Sequence, residues 1–284
     1  MPQKKQSVVL SIRLDDISLK AVDLLVESGL ESNRSRAVSY LLQAGIQSSQ
    51  ELLQKARILA DNVQLLRNQM IDAVKQNNIE QVSRLISQDA SLVNASNQRG
   101  ESAMLMAAYY RSQEIKELLL SRGAELNLFE AAAIGDTDRI RQVLGDSPEL
   151  AATWNADGFT ALGLAAHFGN EDTVKLLLEY GADINQRGRD GNLNNMAIHA
   201  AIAGNHAHVV KLLLERGADI TVKCEGEWRR GFTPLHVAAY FGRDTIIGLL
   251  LEAGADKRIV TEQGKTPYDL AILREHPTSA AMLQ

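Results

Sequence analysis

Residues 231–242 read Gly231-Phe232-Thr233-Pro234-Leu235-His236-Val237-Ala238-Ala239-Tyr240-Phe241-Gly242, and Leu249-Leu250-Leu251-Glu252-Ala253-Gly254-Ala255-Asp256 follows. The pair of stretches recurs. LLLSRGAELN stands at 118–127, LLLEYGADIN at 176–185, LLLERGADIT at 212–221 and LLLEAGADKR at 249–258. Upstream of them lie GESAMLMAAYY, GFTALGLAAHFG, NNMAIHAAIAG and GFTPLHVAAYFG. Each copy reads as a short helix whose Ala-Ala pair permits close packing, a turn, and a second helix carrying a Leu triplet. Gly123, Gly181, Gly217 and Gly254 follow the second helix, where a left-handed C-cap is wanted. One such pair cannot bury its apolar face alone, so neighbours must stack into a solenoid.

The phrase Thr233-Pro234-Leu235-His236-Val237-Ala238 and the agreement of several independent copies resemble the ankyrin repeat over residues 68–284. Taking the position after each Ala-Ala-x-x helix as a register mark gives Asn77, Arg111, Gly135, Gly169, Gly204, Gly242 and Glu275, spaced 34, 24, 34, 35, 38 and 33 apart. That predicts a mostly α chain ending in six to seven helix pairs over 70–284. The gap of 24 implies no projecting hairpin near Leu126–Glu130, and the gap of 38 a lengthened finger from Lys223 to Arg230.

Upstream, residues 7–14 alternate, with Val8, Leu10, Ile12 and Leu14 on one face, as in a half-buried strand. Asp15-Asp16 ends that stretch. Amphipathic helices are expected over about 17–28 and 34–44, with Gly29 closing the first and Asn33 or Ser32 capping the second. One strand and two helices cannot enclose a core, but two copies can. This order of elements, with LSIRLDD and NRSRAV, resembles the ribbon-helix-helix family over residues 7–47. The resemblance implies a dimeric, swapped β-ribbon domain at 1–47 that binds double-stranded DNA. It implies base contacts from Val9, Ser11 and Arg13, and phosphate contacts from Lys4, Lys5, Asn33, Arg34 and Ser35. Residues 1–47 carry six basic and five acidic groups, so against a total of −5 the remainder holds −6. A polyanion should therefore meet the N-terminal end.

Residues 48–69 form the expected linking helix. Leu52, Ala56, Leu59, Val63, Leu66, Met70 and Ala73 follow a heptad seam, either pairing two chains as a coiled coil or packing on the first repeat. No metal, cofactor or catalytic grouping is expected. His206 and His208, two residues apart, face different ways on a helix. Cys224 reads as a lone thiol in an exposed finger, consistent with a reducing compartment. No apolar run spans a membrane, and a bacterial or phage-type cytoplasmic, nucleoid-associated location is expected. Protein-partner contacts are expected from Tyr109, Tyr110, His167, Phe168, Trp228, Arg229, Arg230, Tyr240 and Phe241, since aromatic groups and Arg anchor interfaces. The functional expectation is a homodimeric DNA-binding transcriptional regulator with a protein-binding repeat arm. The alternatives are an antitoxin or inhibitor whose repeats neutralise a partner, and a dimeric scaffold without DNA binding.

Overall fold

The computed structural model describes residues 13–191 and 194–284. They form two compact units, divided between Val63 and Gln64, inside one helix.

In the N-terminal unit, α1 (Asp16–Glu27) and α2 (Arg34–Ser48) lie against each other. Asp15 caps α1 by accepting Ser18 N at 2.8 Å, and Asn33 caps α2 by accepting Arg36 N at 3.0 Å, so the expected helix starts are correct. The expected strand falls on residues 7–14. Of these, 7–12 lie outside the described residues, and Arg13 and Leu14 have no regular structure. The described residues therefore contain no strand and no β-ribbon. Between α1 and α2 only Val22 and Ala37 are buried, whereas Ile17, Leu24, Leu30, Leu42 and Ile46 are exposed.

Helix α3 (Gln50–Lys75) divides by environment. Leu52, Ala56, Leu59 and Val63 are exposed, Leu66 is half-buried, and Met70, Ile71, Ala73 and Val74 are buried in the core of the second unit. The seam expected through Leu66 thus ends, from Leu66 onward, as the first helix of the array.

That array continues as pairs: α4 (Ile79–Gln88) answers α3, then α5 (Ala103–Tyr109) with α6 (Gln113–Ser121), α7 (Leu128–Ile134) with α8 (Thr137–Asp146), and α9 (Ala161–Phe168) with α10 (Glu171–Glu179). Helices α11 (Ala197–Gly204) with α12 (Ala207–Glu215), α13 (Pro234–Phe241) with α14 (Asp244–Glu252), and α15 (Pro267–Leu273) with α16 (Pro277–Leu283) complete it. First helices stack on first helices and second on second. Seven pairs result, as the register predicts. The stacking surface of the first row is the Ala doublet, buried at Ala132-Ala133, Ala165-Ala166, Ala200-Ala201 and Ala238-Ala239. In each Leu triplet the middle residue is the deep one: Leu119, Leu177, Leu213 and Leu250 are all fully buried. Its carbonyl also closes the helix, accepting Ala124 N, Ala182 N, Ala218 N and Ala255 N at 2.9–3.0 Å around a left-handed glycine.

The register marks coincide with left-handed residues between the helices: Asn77, Arg111, Gly135, Gly169, Gly242 and Glu275. At the fifth mark the left-handed residue is Asn205, one beyond the expected Gly204, because Gly204 is the last residue of α11. The next pair then caps the freed carbonyls. Asn170 Nδ2 donates to Ala132 O and Ala133 O at 2.9 Å, Arg243 donates to Ala203 O at 3.3 Å, and His208 and His276 ring nitrogens lie 3.1 and 3.3 Å from Gly169 O and Tyr240 O. The short interval before α7 behaves as expected, since Asn127 and Glu130 form a reciprocal cap with no hairpin ahead of it.

His236 and His199 sit in the first turns of α13 and α11. The Thr233 hydroxyl lies 2.7 Å from His236 Nδ1, and Met196 N donates to His199 Nδ1 at 3.3 Å. Burial pushes the His236 imidazole down to about 4 and that of His199 to about 3. Both are neutral in the folded chain, while the unfolded chain protonates them below its ordinary value near 6.5. Stability is therefore full above that value and falls as the pH drops toward 4, by about 1.4 kcal/mol per pH unit for each imidazole. Urea unfolding across this range should show the loss, and His236→Gln should make the dependence shallower; a stability that rises on acidification contradicts the assignment.

Candidate functional site

The aromatic residues singled out in the sequence fall into two clusters on the repeat array. In the first, Tyr109 at the end of α5 meets His167 and Phe168 at the end of α9, with ring centroids 5.6 and 5.0 Å apart. All three are half-buried, and Tyr110 beside them is exposed. Burial, with the carboxylates of Asp157 and Asp190 nearby, pushes the Tyr109 phenol up to about 12, and burial holds His167 below the usual imidazole value. This cluster is thus neutral at physiological pH. Only the first pair differs in exposure, Tyr109 being half-buried and Tyr110 exposed; His167 and Phe168 are both half-buried, as are Tyr240 and Phe241.

In the second cluster, Phe232, Tyr240 and Phe241 pack edge to face at 5.9 and 5.2 Å. Arg229 lies over both Tyr240 and Phe241, at 5.1 and 4.7 Å, and Arg274 over Tyr240 at 4.5 Å. Arg229 therefore turns back onto the array instead of flanking Trp228 outward. Trp228 itself is 73% exposed, and Arg230 is exposed beside it. The finger that carries them is anchored at its base, where Cys224 N donates to Phe232 O at 2.8 Å and Gly231 N to Cys224 O at 2.9 Å. That base buries Cys224, against the expectation of an exposed thiol, and burial pushes its thiol up to about 12. A neutral, enclosed thiol is a poor nucleophile.

Sequence reading missed a third feature. Trp154 sits on the finger before α9, donates Nε1–H to Arg187 O at 2.8 Å, and carries the Arg189 guanidinium 3.4 Å from its ring. With Asp157, Phe159 and Tyr109 it lines an open cleft of about 770 Å³. The available signal was the tryptophan itself, one of two in the chain.

In the N-terminal unit, Arg13 is exposed, and Val9, Ser11, Lys4 and Lys5 lie outside the described residues. Asn33 and Ser35 open α2, but the Arg34 guanidinium is held by Asp23 in a bidentate pair at 2.6 and 2.9 Å. A groove of about 710 Å³, lined by Ile17, Val22, Leu41, Ile46, Leu52 and Leu53, is apolar nearly throughout. His206 and His208 approach each other at 5.9 Å, but among the described residues no group of three metal-ligating side chains forms. No helix among them is long and apolar enough to cross a membrane.

Comparison with known families identifies ankyrin repeats (3 copies) at residues 128–224 and ankyrin repeats (many copies) at residues 224–271. Among curated relatives, a transient receptor potential cation channel subfamily A member 1 homolog from Caenorhabditis elegans is 26% identical over 204 residues, covering 68% of this chain and 16% of that protein. E3 ubiquitin-protein ligase KEG from Arabidopsis thaliana is 28% identical over 169 residues, covering 55% and 10%. The mitochondrial disaggregase of Bos taurus is 32% identical over 139 residues, covering 43% and 20%. The chain spans a fifth or less of the length of these relatives.

The two neighbouring finger residues should separate in a stability measurement. Trp228→Ala should shift the unfolding free energy by less than about 0.5 kcal/mol, as for other exposed positions. Arg229→Ala, which removes two ring contacts, should cost about 1 kcal/mol. Chemical denaturation of both variants checks the order, and a larger loss at Trp228 would show that its ring covers the repeats.

Proposed function

We propose that this chain, which carries ankyrin repeats, uses them to capture another protein and restrain it, as an inhibitor or antitoxin does, while its N-terminal helices join two copies. The observation that carries the capture is the pairing of a rigid array with an anchored finger whose tryptophan and arginine point into solvent. Such a finger adds little to the fold, and a preorganised aromatic side chain loses little entropy on binding. The relatives similar to part of this chain include a ligase and a cation channel by name, matched over 10% and 16% of their own lengths, and a recognition role for the repeats is compatible with proteins of such different activity.

The pairing rests on the N-terminal groove. A unit that buries only Val22 and Ala37 among its described residues while exposing Ile17, Leu42, Ile46, Leu52 and Leu59 lacks a core of its own. A second copy, presenting the same faces, supplies it by twofold symmetry. The heptad positions Leu52, Ala56, Leu59 and Val63 extend that contact along α3.

A second reading keeps DNA as a partner. It is favoured by the Asn33-capped, solvent-facing start of α2 and by exposed Arg13 near the positive N-terminal residues. In that reading the repeats regulate or sequester a transcription factor built from two copies.

Light scattering on the intact chain should give a dimer at micromolar concentration, and a chain lacking residues 1–63 should be a folded monomer. Leu59→Glu should shift dissociation to higher concentration. A monomeric intact chain would remove the pairing. Partner capture from the source cell should drop with Trp228→Ala by about 2 kcal/mol in binding free energy if that ring is a central anchor. Fluorescence anisotropy with random-sequence duplex then separates the readings: affinity that falls steeply with salt and is lost with residues 1–63 supports the DNA reading, and its absence leaves a dimeric inhibitor or scaffold.

A further inference from the structure

In four of the first helices, α7, α11, α13 and α15, the third position carries a side chain that caps its own repeat: Glu130, His199, His236 and Asp269. In α13, His236 bridges the Thr233 hydroxyl and, from Nε2, Lys265 O at 3.1 Å on the next finger. In α11 the position is His199, fully buried, and in α7 it is Glu130, which accepts Asn127 N at 3.0 Å. In α9 it is Gly163. Thr160 Oγ1 still accepts the Gly163 amide at 2.9 Å, but no side chain continues from there. Asn195 stands where Lys265 stands, since Gly188 N donates to Asn195 O at 2.7 Å as Thr261 N does to Lys265 O at 2.9 Å. The place of the missing imidazole is a largely enclosed chamber of about 180 Å³, walled by Tyr109, Phe159, Leu164, His167, Gly188 and Asn195. A cavity of that size lined mainly by apolar groups accepts a small ring or a branched aliphatic group.

The chamber does not end there. Tyr109 and Phe159 also wall the open cleft that holds Trp154 and Asp157. The charged groups of that cleft are largely occupied: Glu101 is paired with Lys75 at 2.7 Å, and Arg189 lies on Trp154. Asp157 is different. It is half-buried and forms no hydrogen bond or ion pair with a described residue, and burial together with Glu101 raises its carboxyl above the usual range. A carboxylate left unpartnered beside two aromatic walls favours a cation, which gains from the charge and from the ring faces together.

We infer that the chamber and the cleft form one site for a ligand with a compact apolar body next to a cation. In a protein partner this is an aromatic or branched aliphatic side chain beside a Lys or Arg in an extended segment, an assignment that rests on the partner-binding reading above. The chamber takes the apolar group and Asp157 the charge. The φ of Gly163 is ordinary, and an added Cβ would meet the Thr160 hydroxyl at 2.9 Å, so that capping hydroxyl must shift outward, as in α13, where the equivalent His236 N to Thr233 Oγ1 distance is 3.5 Å.

Benzylammonium is the minimal probe, with benzoate as the same ring bearing the opposite charge. Both are titrated into the full chain, and the amide resonances of Gly163, Gly188 and Asn195 are followed. Benzylammonium should give saturable shifts at all three, and benzoate should bind about tenfold more weakly, the scale of one close charge contact near a protein surface. Asp157→Asn, which leaves the fold's hydrogen bonds intact, should bring the two ligands within about twofold of each other. Gly163→His should abolish both and raise the melting temperature, and Gly163→Ala should weaken both. Equal binding of the two ligands, binding unaffected by Gly163→His, or no saturable shift would overturn the inference, the last showing the chamber to be a packing defect. If Gly163→His abolishes benzylammonium binding but partner capture persists, the site stands and the partner docks elsewhere. If the probe binds and no protein is captured, the protein-binding reading falls while the site remains.

Discussion

The close approach of neighbouring first helices governs everything else in the array. Alanine doublets place only methyl groups at the crossing, so one first helix approaches the next closely, and the deep Leu of each second helix closes the layer behind. Burying such a Leu contributes about 1.5–3 kcal/mol, and none of that is available to a single repeat. Close approach also brings helix ends near polar side chains of the following pair. Asn170, His208, Arg243 and His276 then satisfy carbonyls that would otherwise be orphaned at the end of a short helix. Stacking and capping are one constraint, since each requires the register set by the other.

That constraint explains which parts of the fold were legible in the sequence. A doublet of Ala, a triplet of Leu and a following Gly are local patterns with one structural use each, so the pairs, their number and the short interval before α7 followed directly. The register slipped by one at Asn205 because Asn as well as Gly reaches the left-handed region, and the adjacent Gly204 drew the reading. Cys224 was misplaced because a long finger suggests exposure, whereas the bonds from its backbone to Phe232 and Gly231 fold the base of that finger inward. The sequence points to Arg229 as a partner contact, but its guanidinium lies over the rings of Tyr240 and Phe241, eleven and twelve residues along the chain.

The site was less legible than the fold for a physical reason. A binding surface is made of side chains whose contribution depends on neighbours one or two repeats away. Tyr109 gains its character from His167 and Phe168, and Trp154 from Arg189, more than thirty residues apart in each case. The position of Gly163 matters only by comparison with His236, through a cavity that no local pattern announces. In the N-terminal unit the reading by family resemblance ran ahead of the helices: both helices and caps are present, Arg34 is tied to Asp23, and the strand lies mostly on residues outside those described.

Under the proposed pairing the two units draw their stability from separate sources: the array closes its own core, and the N-terminal helices close theirs with a second copy. Amide hydrogen exchange on the intact chain over a wide dilution series tests this directly. Protection in α9 to α14 should be independent of concentration, while protection in α1 and α2 should fall away on dilution as the copies separate. Equal and undiminished protection of α1 and α2 at every concentration would contradict the account, because it would mean that those helices hold their fold without a partner.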